Sequence, residues 1–489
     1  VRSFLAEHLG FGDFVFRMPD GKEVARARDL REFVDCLASV PAESLRYHAG
    51  HNHISNWLLA RSEFDLAARL RPQKVSDFPS IEKVREYLID ELTKLRRSEL
   101  RGLVTDFSLT HFDPESRFQK IGDGMLGGKG RGLAFLNHFL PEVAPDGRLA
   151  GVPVRIPQTF VLATGFFEKF LAKNRLRRPP QEEQDDEKIT KRFLDAKLPA
   201  ELKKSLKVII EHMNGPLAVR SSSLLEDDML HPFAGVYETR MLANDAKDPD
   251  YRLTELCQAI KLVYASTFFR NARAYHEQTS KNTEEERMAV VIQGLVGQRF
   301  GSRFYPHISG VAQSYNFYPV PPMKAEQGVV ALALGLGRLV VDGGQCLRFC
   351  PRYPSAIPQL ATPAQALKSS QNIFYALDMK RHRKRTSCPQ DRVRSYPLEA
   401  AAEDGTLQLV ASRYDASEEA IKDGPAAQGP PVVTFNNILK YGTIPLAAAL
   451  DELLKITAKA MGTAVEIEFA LDMKRHRKRT SCPQDRVRS

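Results

Sequence analysis

A lysine set among glycines is the first feature of this sequence that could do chemistry. Lys129 lies in the segment LGGKGRGL, residues 126–133, and further glycines precede it at positions 122 and 124. Glycine-rich backbone exposes amide N–H groups that bind phosphate oxygens, and the lysine ammonium adds a positive charge. Three phosphate-binding patterns therefore compete for this segment.

Two of these patterns lack a required neighbour. A Walker loop needs a glycine five places before the Gly-Lys pair and a Ser or Thr after it, but Asp123 and Gly130 stand there. A dinucleotide fingerprint needs a hydrophobic strand before its glycines and an acidic residue roughly 20 places later, and the preceding ESRFQK does not read as a strand. The third interpretation is a flexible glycine flap over residues 122–130, followed by a helix from near Gly132. A plain loop before a surface helix is the alternative.

Arg220, in the segment GPLAVRSSSLLEDD, is a second candidate for phosphate binding. Leu217–Val219 predicts a short strand that ends at this arginine, and Ser223 with Glu226 forms a capping-box pair for the turn that follows. A guanidinium is a planar fork that matches phosphate oxygens. We therefore expect Arg220 to bind phosphate, and a buried ion pair is the alternative.

A pair of glutamates provides the third candidate group. Glu466 and Glu468 lie two residues apart in AVEIEFAL, so in a strand both point to one face. Two adjacent carboxylates repel each other unless a cation neutralises them. Mg²⁺ prefers such oxygen ligands and shares them with nucleotide phosphates. The pattern indicates a metal strand, and an exposed acidic face of an edge strand remains the alternative.

The elements that must position these groups divide the chain. Apolar residues at helical spacing predict a mostly helical region over residues 1–112. His51 and His53 in it lack a third metal ligand at a telling distance, so we expect capping or surface roles for them. Three apolar, β-branched segments between residues 287 and 342 predict sheet strands. The predicted divisions are 1–112, 113–375 with an exposed insertion at 174–200, a basic loop at 376–395, 396–469, and 470–489.

A perfect repeat accounts for the basic charge of the chain. ALDMKRHRKRTSCPQDRVRS occupies residues 376–395 and recurs at 470–489, and each copy carries seven Lys or Arg and two Asp. Two copies at +5 each equal the whole formal charge of +10. A solvated loop explains KRHRKR better than a binding surface does. We therefore expect no nucleic-acid partner, and a tail at 470–489 that is not part of the fold.

Composition places the chain among globular proteins. It has 489 residues, of which 43% are hydrophobic, and no apolar run approaches the roughly 20 residues that span a bilayer. Six scattered cysteines without a CxxC pair favour reduced thiols. We expect a cytoplasmic protein without a membrane partner. The first residue is Val, as expected of a piece of a longer chain.

Together these motifs resemble the nucleotide-binding domain of the pyruvate phosphate dikinase and phosphoenolpyruvate synthase family, from about Phe118 to Phe469. The resemblance implies an α+β fold of the ATP-grasp type, in which two lobes close on a nucleotide, with ATP and Mg²⁺ as cofactors. The N-terminal helices resemble an extension found in bacterial synthase-like proteins. The implied site residues are Lys129 and Arg220 as catalytic groups on the ATP phosphates, Gly127, Gly128 and Gln293 as further ATP contacts, and Glu466 and Glu468 as metal ligands.

The resemblance also implies a reaction. Members of the family move a pyrophosphoryl group from ATP to a carrier histidine and then a phosphoryl group to an acceptor. The Gly-Gly and Thr-rich loop that bears this histidine is absent from the sequence, and the repeated segment stands where the family continues with Leu-Gln-x-Arg. We therefore expect a dikinase-type phosphotransferase domain, with paired acceptors, whose phosphohistidine carrier is missing from this chain or lies on another one. The alternative is a catalytically incomplete ATP-binding or regulatory module without turnover.

Overall fold

The computed structural model describes residues 12–61, 63–110, 112–176, 185–223, 236–278, 286–380, 391–424 and 428–473. They form two compact units. The first contains the described residues up to Leu103 together with Asp113–Arg117, and the second contains residues 104–112 and those from Phe118 onward. This division places the segment 104–112 with the second unit, whereas we predicted one boundary at residue 112.

The first unit is mostly helical, which confirms the prediction for the N-terminal region. Its longest helix begins after Ser80, whose side chain accepts a hydrogen bond from the backbone N–H of Lys83. Val84, Leu88 and Leu92 recur at four-residue spacing and are buried, because such residues share one helix face. The elements are β1 (Phe14–Arg17), β2 (Glu23–Ala27), α1 (Leu30–Ser39), α2 (Ala42–Gly50), α3 (His53–Ala60), α4 (Phe64–Leu70) and α5 (Ile81–Glu99).

The second unit begins with a six-stranded sheet and the helices that cover it. Its first strands are short, and longer apolar strands follow. In chain order the elements are β3 (Thr105–Asp106), β4 (Phe118–Ile121), α6 (Gly127–Val143), β5 (Arg148–Leu149), β6 (Val152–Pro153), β7 (Thr159–Leu162), α7 (Thr164–Asn174), α8 (Asp186–Asp195), α9 (Ala200–His212), β8 (Leu217–Ser223), β9 (Thr239–Leu242), α10 (Pro249–Ser266), α11 (Arg270–Gln278) and β10 (Met288–Gly294).

This sheet has the strand order β3-β4-β7-β10-β8-β9, and β10 is antiparallel to both of its neighbours. Successive residues of β10 point to opposite faces. Val290 and Ile292 enter a large core with residues of α7, α9 and α10. Ala289 and Val291 instead meet Leu133 of α6 on the other face. The sheet is therefore covered by helices on both faces, and α6 lies on the face that Val291 marks.

The rest of the second unit is rich in short strands. In chain order its elements are β11 (Gln298–Phe300), β12 (Arg303–Tyr305), β13 (Ile308–Gln313), β14 (Val329–Ala333), α12 (Arg338–Val341), β15 (Leu347–Phe349), α13 (Pro363–Ser369), β16 (Ile373–Asp378), β17 (Val393–Pro397), α14 (Leu398–Glu403), β18 (Ala411–Asp415), β19 (Ala420–Lys422), β20 (Pro431–Val433), α15 (Asn436–Leu439), α16 (Leu446–Met461) and β21 (Glu466–Leu471).

These strands build three further sheets, with the orders β11-β12-β16-β17, β15-β14-β13-β21 and β19-β18-β20. They share a second large core that includes Tyr305, Leu332 and Phe374. A small core that contains Leu140 of α6 and Leu453 of α16 joins these sheets to the six-stranded sheet and its helices, within the second unit. The mixture of separate helices and mostly antiparallel sheets confirms the α+β class.

Several sequence predictions differ from the structure or lie outside it. A strand does precede the glycines, since β4 ends at Ile121 directly before them. It has only four residues, with a buried glutamine at position 119, so its pattern was not recognisable. The proposed capping-box partner Glu226 and residues 474–489 of the repeated tail lie outside the described residues. The first residues of that tail do belong to the fold, because β21 extends to Leu471, so the prediction that the tail at 470–489 is not part of the fold is wrong for them. In the part of the chain that is described, no helix combines the length and the apolar character that crossing a membrane requires.

Candidate functional site

Arg220 lies in the middle of a strand. We predicted that the strand would end at this residue, but β8 continues to Ser223, and the serines after Arg220 are buried inside the sheet. Arg220 pairs with Val291 across the sheet, so it points to the face that α6 covers. The sheet thus fixes the backbone of Arg220 on both sides.

The first turn of α6 is anchored beside this strand. The Ser222 hydroxyl donates to the backbone oxygen of Leu126 over 2.8 Å and accepts from the N–H of Gly130 over 2.9 Å. Gly127 has a φ of +69°, and a Cβ there would lie 1.8 Å from the backbone oxygen of Ser222. Only glycine permits this conformation and this approach. The prediction of a glycine flap through residue 130 is wrong to this extent, because the helix begins at Gly127 and not near Gly132.

The hydrogen bonds of Ser222 also place Lys129 beside the part of β8 that carries Arg220. Its Nζ lies 3.5 Å from the Oγ of Ser221, the neighbour of Arg220 in β8. Lys129 also lies close enough to Glu468 to attract its carboxylate. Lys129 and Arg220, the two cations predicted to bind phosphate, are 91 residues apart in the sequence and come together at the start of α6.

Glu466 and Glu468 share one face of the edge strand β21, as their spacing predicted. Glu468 is opposite Val311 and Glu466 is opposite Gln313. The side-chain amide of Gln313 donates to Glu466 Oε2 over 2.6 Å. Arg220 Nη2 donates to Glu468 Oε2 in a close ion pair. This contact joins the six-stranded sheet to the sheet that contains β21.

The charges around Glu468 keep its carboxylate ionised. Partial burial raises its pKa, but the attraction of Arg220, a hydrogen bond from Arg220 and the attraction of Lys129 together outweigh this, so the pKa lies below its ordinary value of 4.5. The Glu468 side chain is 45% exposed and that of Arg220 is 23% exposed. Solvent and ligands can therefore reach the carboxylate.

A single cavity of about 2870 Å³ receives all of these side chains. Typical small-molecule pockets occupy roughly 300–1,000 Å³, so this cleft can hold a nucleotide with space to spare. One wall is the α6 face of the six-stranded sheet, and the other is one face of the sheet β15-β14-β13-β21. The predicted site residues that line it are Gly128, Lys129, Arg220, Gln293, Glu466 and Glu468.

Gly127 and Gln293 were also predicted to contact ATP, and their surroundings differ. Gly127 packs against β8, so its contribution is to position the first turn of α6. Gln293 lines the cleft two residues along β10 from Val291, and its amide donates to Thr159 Oγ1 over 3.0 Å. This bond holds the side chain of Gln293 in one orientation.

Sequence reasoning missed the residues that hold the site together. Ser222 anchors α6, but the sequence RSSS does not indicate which of its serines contacts a helix. Gln313 and Ser309 line the cleft from β13, and the available signal in ISGVAQ was that the two polar residues lie four positions apart, on one face of a strand. Arg338 also lines the cleft, where it pairs with Asp342 and Asp391 over 3.2 and 3.0 Å.

The donor set can be compared with what a divalent cation needs. Within the described residues, no group of three or more His, Cys, Asp or Glu side chains is arranged to hold a metal ion. Two carboxylates on one face fit Mg²⁺, which is usually held by one or two carboxylates together with waters and substrate phosphates. Glu466 and Glu468 could hold it in that way.

Comparison with known proteins agrees with this geometry. Residues 123–480 match the pyruvate phosphate dikinase AMP/ATP-binding domain. Uncharacterized phosphotransferase YvkC of Bacillus subtilis (strain 168) is 30% identical over 193 residues, which cover 40% of this chain and 20% of that protein. Phosphoenolpyruvate synthase of Aeropyrum pernix is 25% identical over 217 residues, which cover 40% of this chain and 24% of that protein. The chain spans about a fifth to a quarter of these relatives. Because the domain match extends over most of the sequence, the chain belongs to the pyruvate phosphate dikinase AMP/ATP-binding domain family.

Proposed function

We propose that this chain is the ATP-binding part of a dikinase-type phosphotransferase related to phosphoenolpyruvate synthase. The observation that carries the proposal is the convergence on one cleft of Lys129 from helix α6, Arg220 from the six-stranded sheet, and Glu466 and Glu468 from β21. Sequence separations this large leave no local reason for the four to meet. Two cations and two carboxylates around one space suit a nucleotide triphosphate and its divalent cation.

The proposed chemistry depends on position and charge. In phosphoryl transfer the protein mainly aligns the groups and neutralises negative charge on the phosphate oxygens. Lys129 and Arg220 hold the β and γ oxygens, and the first turn of α6 adds N–H groups of Gly128 and Lys129. When nucleotide enters, Arg220 exchanges its carboxylate partner for a phosphate oxygen. Glu468, ionised because of its lowered pKa, would then be available to hold a divalent cation.

Mg²⁺ bound by Glu466 and Glu468 would neutralise phosphate charge as the bond to the leaving group breaks. The residues of this chain do the remaining work. Gln313 orients Glu466 through the bond to its Oε2. Arg220 and Lys129 keep their guanidinium and ammonium groups directed at the same oxygens.

The arrangement of the two walls supports an ATP-grasp fold. A nucleotide in the cleft would lie between the six-stranded sheet and the sheet that contains β21. Closure of one wall on the other would exclude water from the reacting groups. The small core of Leu140 and Leu453 and the ion pair of Arg220 with Glu468 are two places where the two parts already touch.

The location of the phosphoryl acceptor is inferred from the residues that line the cleft. Among the described residues that line the cleft, none is a histidine, so we assign the phosphohistidine carrier to another domain or chain. The described cysteines are free thiols, which suits the proposed cytoplasmic location. We propose no nucleic-acid or membrane partner.

A second function, nucleotide binding without turnover, has two observations in its favour. Arg220 and Glu468 satisfy each other in the structure, and the described residues present no complete metal-ligand group. A module of this kind would bind ATP and report its presence to a partner.

Titration calorimetry with ATP and magnesium tests the proposal. Wild-type protein should release or absorb heat with one nucleotide per chain. When a separate phosphohistidine carrier domain of a related phosphoenolpyruvate synthase is added as the acceptor of the pyrophosphoryl group, a ³¹P spectrum should show AMP as turnover proceeds. Nucleotide binding without AMP formation would favour the second function. Absence of any binding heat would refute both.

Alanine variants test the assigned roles. Lys129→Ala and Arg220→Ala should each lower the transfer rate by roughly 10²- to 10³-fold, because each removes a charge that acts on the transition state. Binding should weaken less. Lys204→Ala, on the exposed face of α9, is the matched control and should behave like wild type. Equal and small losses of rate and affinity would count against these roles.

A further inference from the structure

Both backbone polar groups of Arg17 are bound by buried side chains of one helix. Its N–H donates to Nε2 of His48 over 2.8 Å, and its carbonyl oxygen accepts from the Ser44 hydroxyl over 2.9 Å. His48 and Ser44 lie on α2 and are 4% and 0% exposed. Arg17 is the last residue of β1, beyond a register shift in the pairing of β1 with β2. These two hydrogen bonds therefore fasten the end of β1 to α2.

The bond from Arg17 determines which nitrogen of His48 carries a proton. A backbone N–H only donates, so Nε2 of His48 must offer a lone pair. A neutral imidazole has one ring N–H, which therefore lies on Nδ1 of His48. This nitrogen is 3.1 Å from Nδ1 of His53, so His48 donates and His53 accepts. A single order of donors thus runs from β1 through His48 on α2 to His53 at the start of α3.

A proton added to either histidine breaks this order of donors. On His48 the unprotonated nitrogen is Nε2, where a new N–H would face the N–H of Arg17. On His53 the unprotonated nitrogen is Nδ1, where a new N–H would face the N–H of His48. Two donors in contact lose their hydrogen bond, and a buried donor without an acceptor is unfavourable. Both histidines must therefore stay neutral for β1, α2 and α3 to remain joined in this way.

The groups around His48 disfavour a second proton on its ring. Burial is the largest cause that lowers its pKa, to about 4, and the charge of His53 is the next. Arg17 of β1 and His51, which follows α2, repel a proton in the same way. Burial and the charge of His51 also lower the pKa of His53. Tyr47 of α2 contacts both imidazole rings, with centroid distances of 5.2 and 5.4 Å. The joined arrangement therefore excludes the proton that an exposed histidine binds in mild acid.

We propose that Arg17, His48 and His53 form a proton-sensitive latch, which joins β1, α2 and α3 and opens locally in mild acid. In the open form the N–H of Arg17 and both imidazoles bond to water, and α2 and α3 move apart at the turn between them. The remaining core of the first unit, including α5, stays folded. This inference is independent of the proposed function, because it concerns the first unit alone.

Hydrogen–deuterium exchange of the full chain, resolved to single residues by fragmentation mass spectrometry, tests the latch. Opening binds at least one proton between pH 6.5 and about 4, the pKa values of an open and a latched His48. After correction for the intrinsic exchange rate, protection of the Arg17 amide should be nearly constant above pH 6.5 and fall at least about tenfold per pH unit below it. Leu92, buried on α5, should stay at least about tenfold better protected than Arg17, because only unfolding of the whole unit exposes its amide.

Two glutamine variants separate titration from packing. In His48→Gln the side-chain amide can accept from Arg17 and donate to His53, but it binds no proton, so the protection of Arg17 should no longer vary with pH. His51→Gln is the matched control, because His51 is exposed and lies outside the latch, and it should keep the wild-type slope. An unchanged slope in His48→Gln, or a lost slope in His51→Gln, would overturn the latch. Equal protection of Arg17 and Leu92 in wild type would overturn it as well, because opening would then be global.

¹⁵N spectra of histidine-labelled protein measure the proton positions directly. At neutral pH His48 should carry its proton on Nδ1, and a scalar coupling across the hydrogen bond should join this nitrogen to Nδ1 of His53. As pH falls, loss of the coupling should follow the loss of Arg17 protection. A proton on Nε2 of His48 at neutral pH would exclude the bond from Arg17 and overturn the latch. This measurement decides the question even if His48→Gln does not fold.

Discussion

At the scale of single residues, the ion pair of Arg220 and Glu468 sets the charge state of the cleft without nucleotide. The guanidinium comes from β8 and the carboxylate from β21. The pair helps to keep the Glu468 carboxylate ionised and holds the two groups close together until phosphates compete for the guanidinium.

A double-mutant cycle measures this pair. Arg220→Ala, Glu468→Ala and the double variant should give a coupling free energy of about 1 kcal/mol in unfolding, because the pair is partly exposed and therefore partly screened. Lys169 and Glu201 lie 2.9 Å apart with both side chains more than half exposed, and the same cycle on them should give at most about 0.5 kcal/mol. Zero coupling between Arg220 and Glu468 would contradict the pairing.

The same pair predicts a pH dependence. The pKa of Glu468 is lowered in the folded state, so its pairing stabilises the fold above the ordinary value of 4.5 and the stabilisation is lost as pH falls through the lowered pKa. A ¹³C titration of labelled glutamate carboxyls should place the Glu468 midpoint below 4.5. Arg220→Ala should move this midpoint upward, since burial then acts against a weaker attraction. Lys204→Ala should leave it in place, and an unmoved midpoint in Arg220→Ala would show that Arg220 does not lower the pKa of Glu468.

At the scale of elements, the junction between α6 and β8 positions the cationic side of the site. Ser222 bonds to the helix at Leu126 and at Gly130, and Gly127 lets the two backbones touch. Lys129 is thereby set on the first turn of a seventeen-residue helix. A helix start is a firmer support for a catalytic lysine than the flexible flap that glycines suggest.

Gly127→Ala tests this junction. An alanine at a φ of +69° costs about 1–2 kcal/mol from backbone strain, and its Cβ would also overlap the backbone oxygen of Ser222. Urea unfolding should show a loss above about 2 kcal/mol. Gly132→Ala is the matched control on the same helix, with no atom within 4 Å of the added Cβ, and should be neutral or stabilising by about 0.5–1 kcal/mol. Similar losses in the two variants would show that close packing at residue 127 is not the cause.

The elements also show what sequence patterns could reveal. The periodicity of AVEIEFAL correctly placed Glu466 and Glu468 on one face of a strand, because alternation is a local property. The ends of β8 and α6 were misjudged, because they depend on contacts between segments about 90 residues apart.

At the scale of the whole molecule, the class and order of elements were predictable and the pairing across the cleft was not. Local spacing and the family resemblance led to an α+β fold behind a helical region. The contact of Arg220 with Glu468 joins residues 248 positions apart, and no pattern in one sequence encodes that distance. The burial of the Ser309 hydroxyl, which has no hydrogen-bond partner among the described residues, was likewise hidden, because it is a property of the assembled sheets.

The first unit carries its own pH-sensitive cluster. His48 Nε2 accepts from the backbone N–H of Arg17 over 2.8 Å, and its Nδ1 lies 3.1 Å from Nδ1 of His53. His51 stacks on His53 with ring centroids 5.4 Å apart. Of the three, only His48 is buried, whereas His53 is half-buried and His51 is exposed. His51 directly follows α2, and its Nδ1 lies 2.7 Å from the backbone oxygen of Tyr47. This position agrees with the capping or surface role that we predicted for His51, and His53 is the first residue of α3. Burial, and next the charge of His53, lower the pKa of His48 to about 4.

This shift makes the first unit less stable in mild acid. Below the ordinary pKa of 6.5 the unfolded chain binds a proton that the folded His48 refuses, so stability is complete above pH 6.5 and declines toward pH 4. The full decline amounts to roughly 3 kcal/mol for this residue. Trp57 is the sole tryptophan of the sequence and stacks on Phe33 inside the first unit, so its fluorescence in urea reports on that unit. His48→Gln should flatten the decline, whereas His138→Gln, whose side chain is 67% exposed in the second unit, should leave it intact. An equally steep decline in His48→Gln would assign the acid sensitivity to other groups.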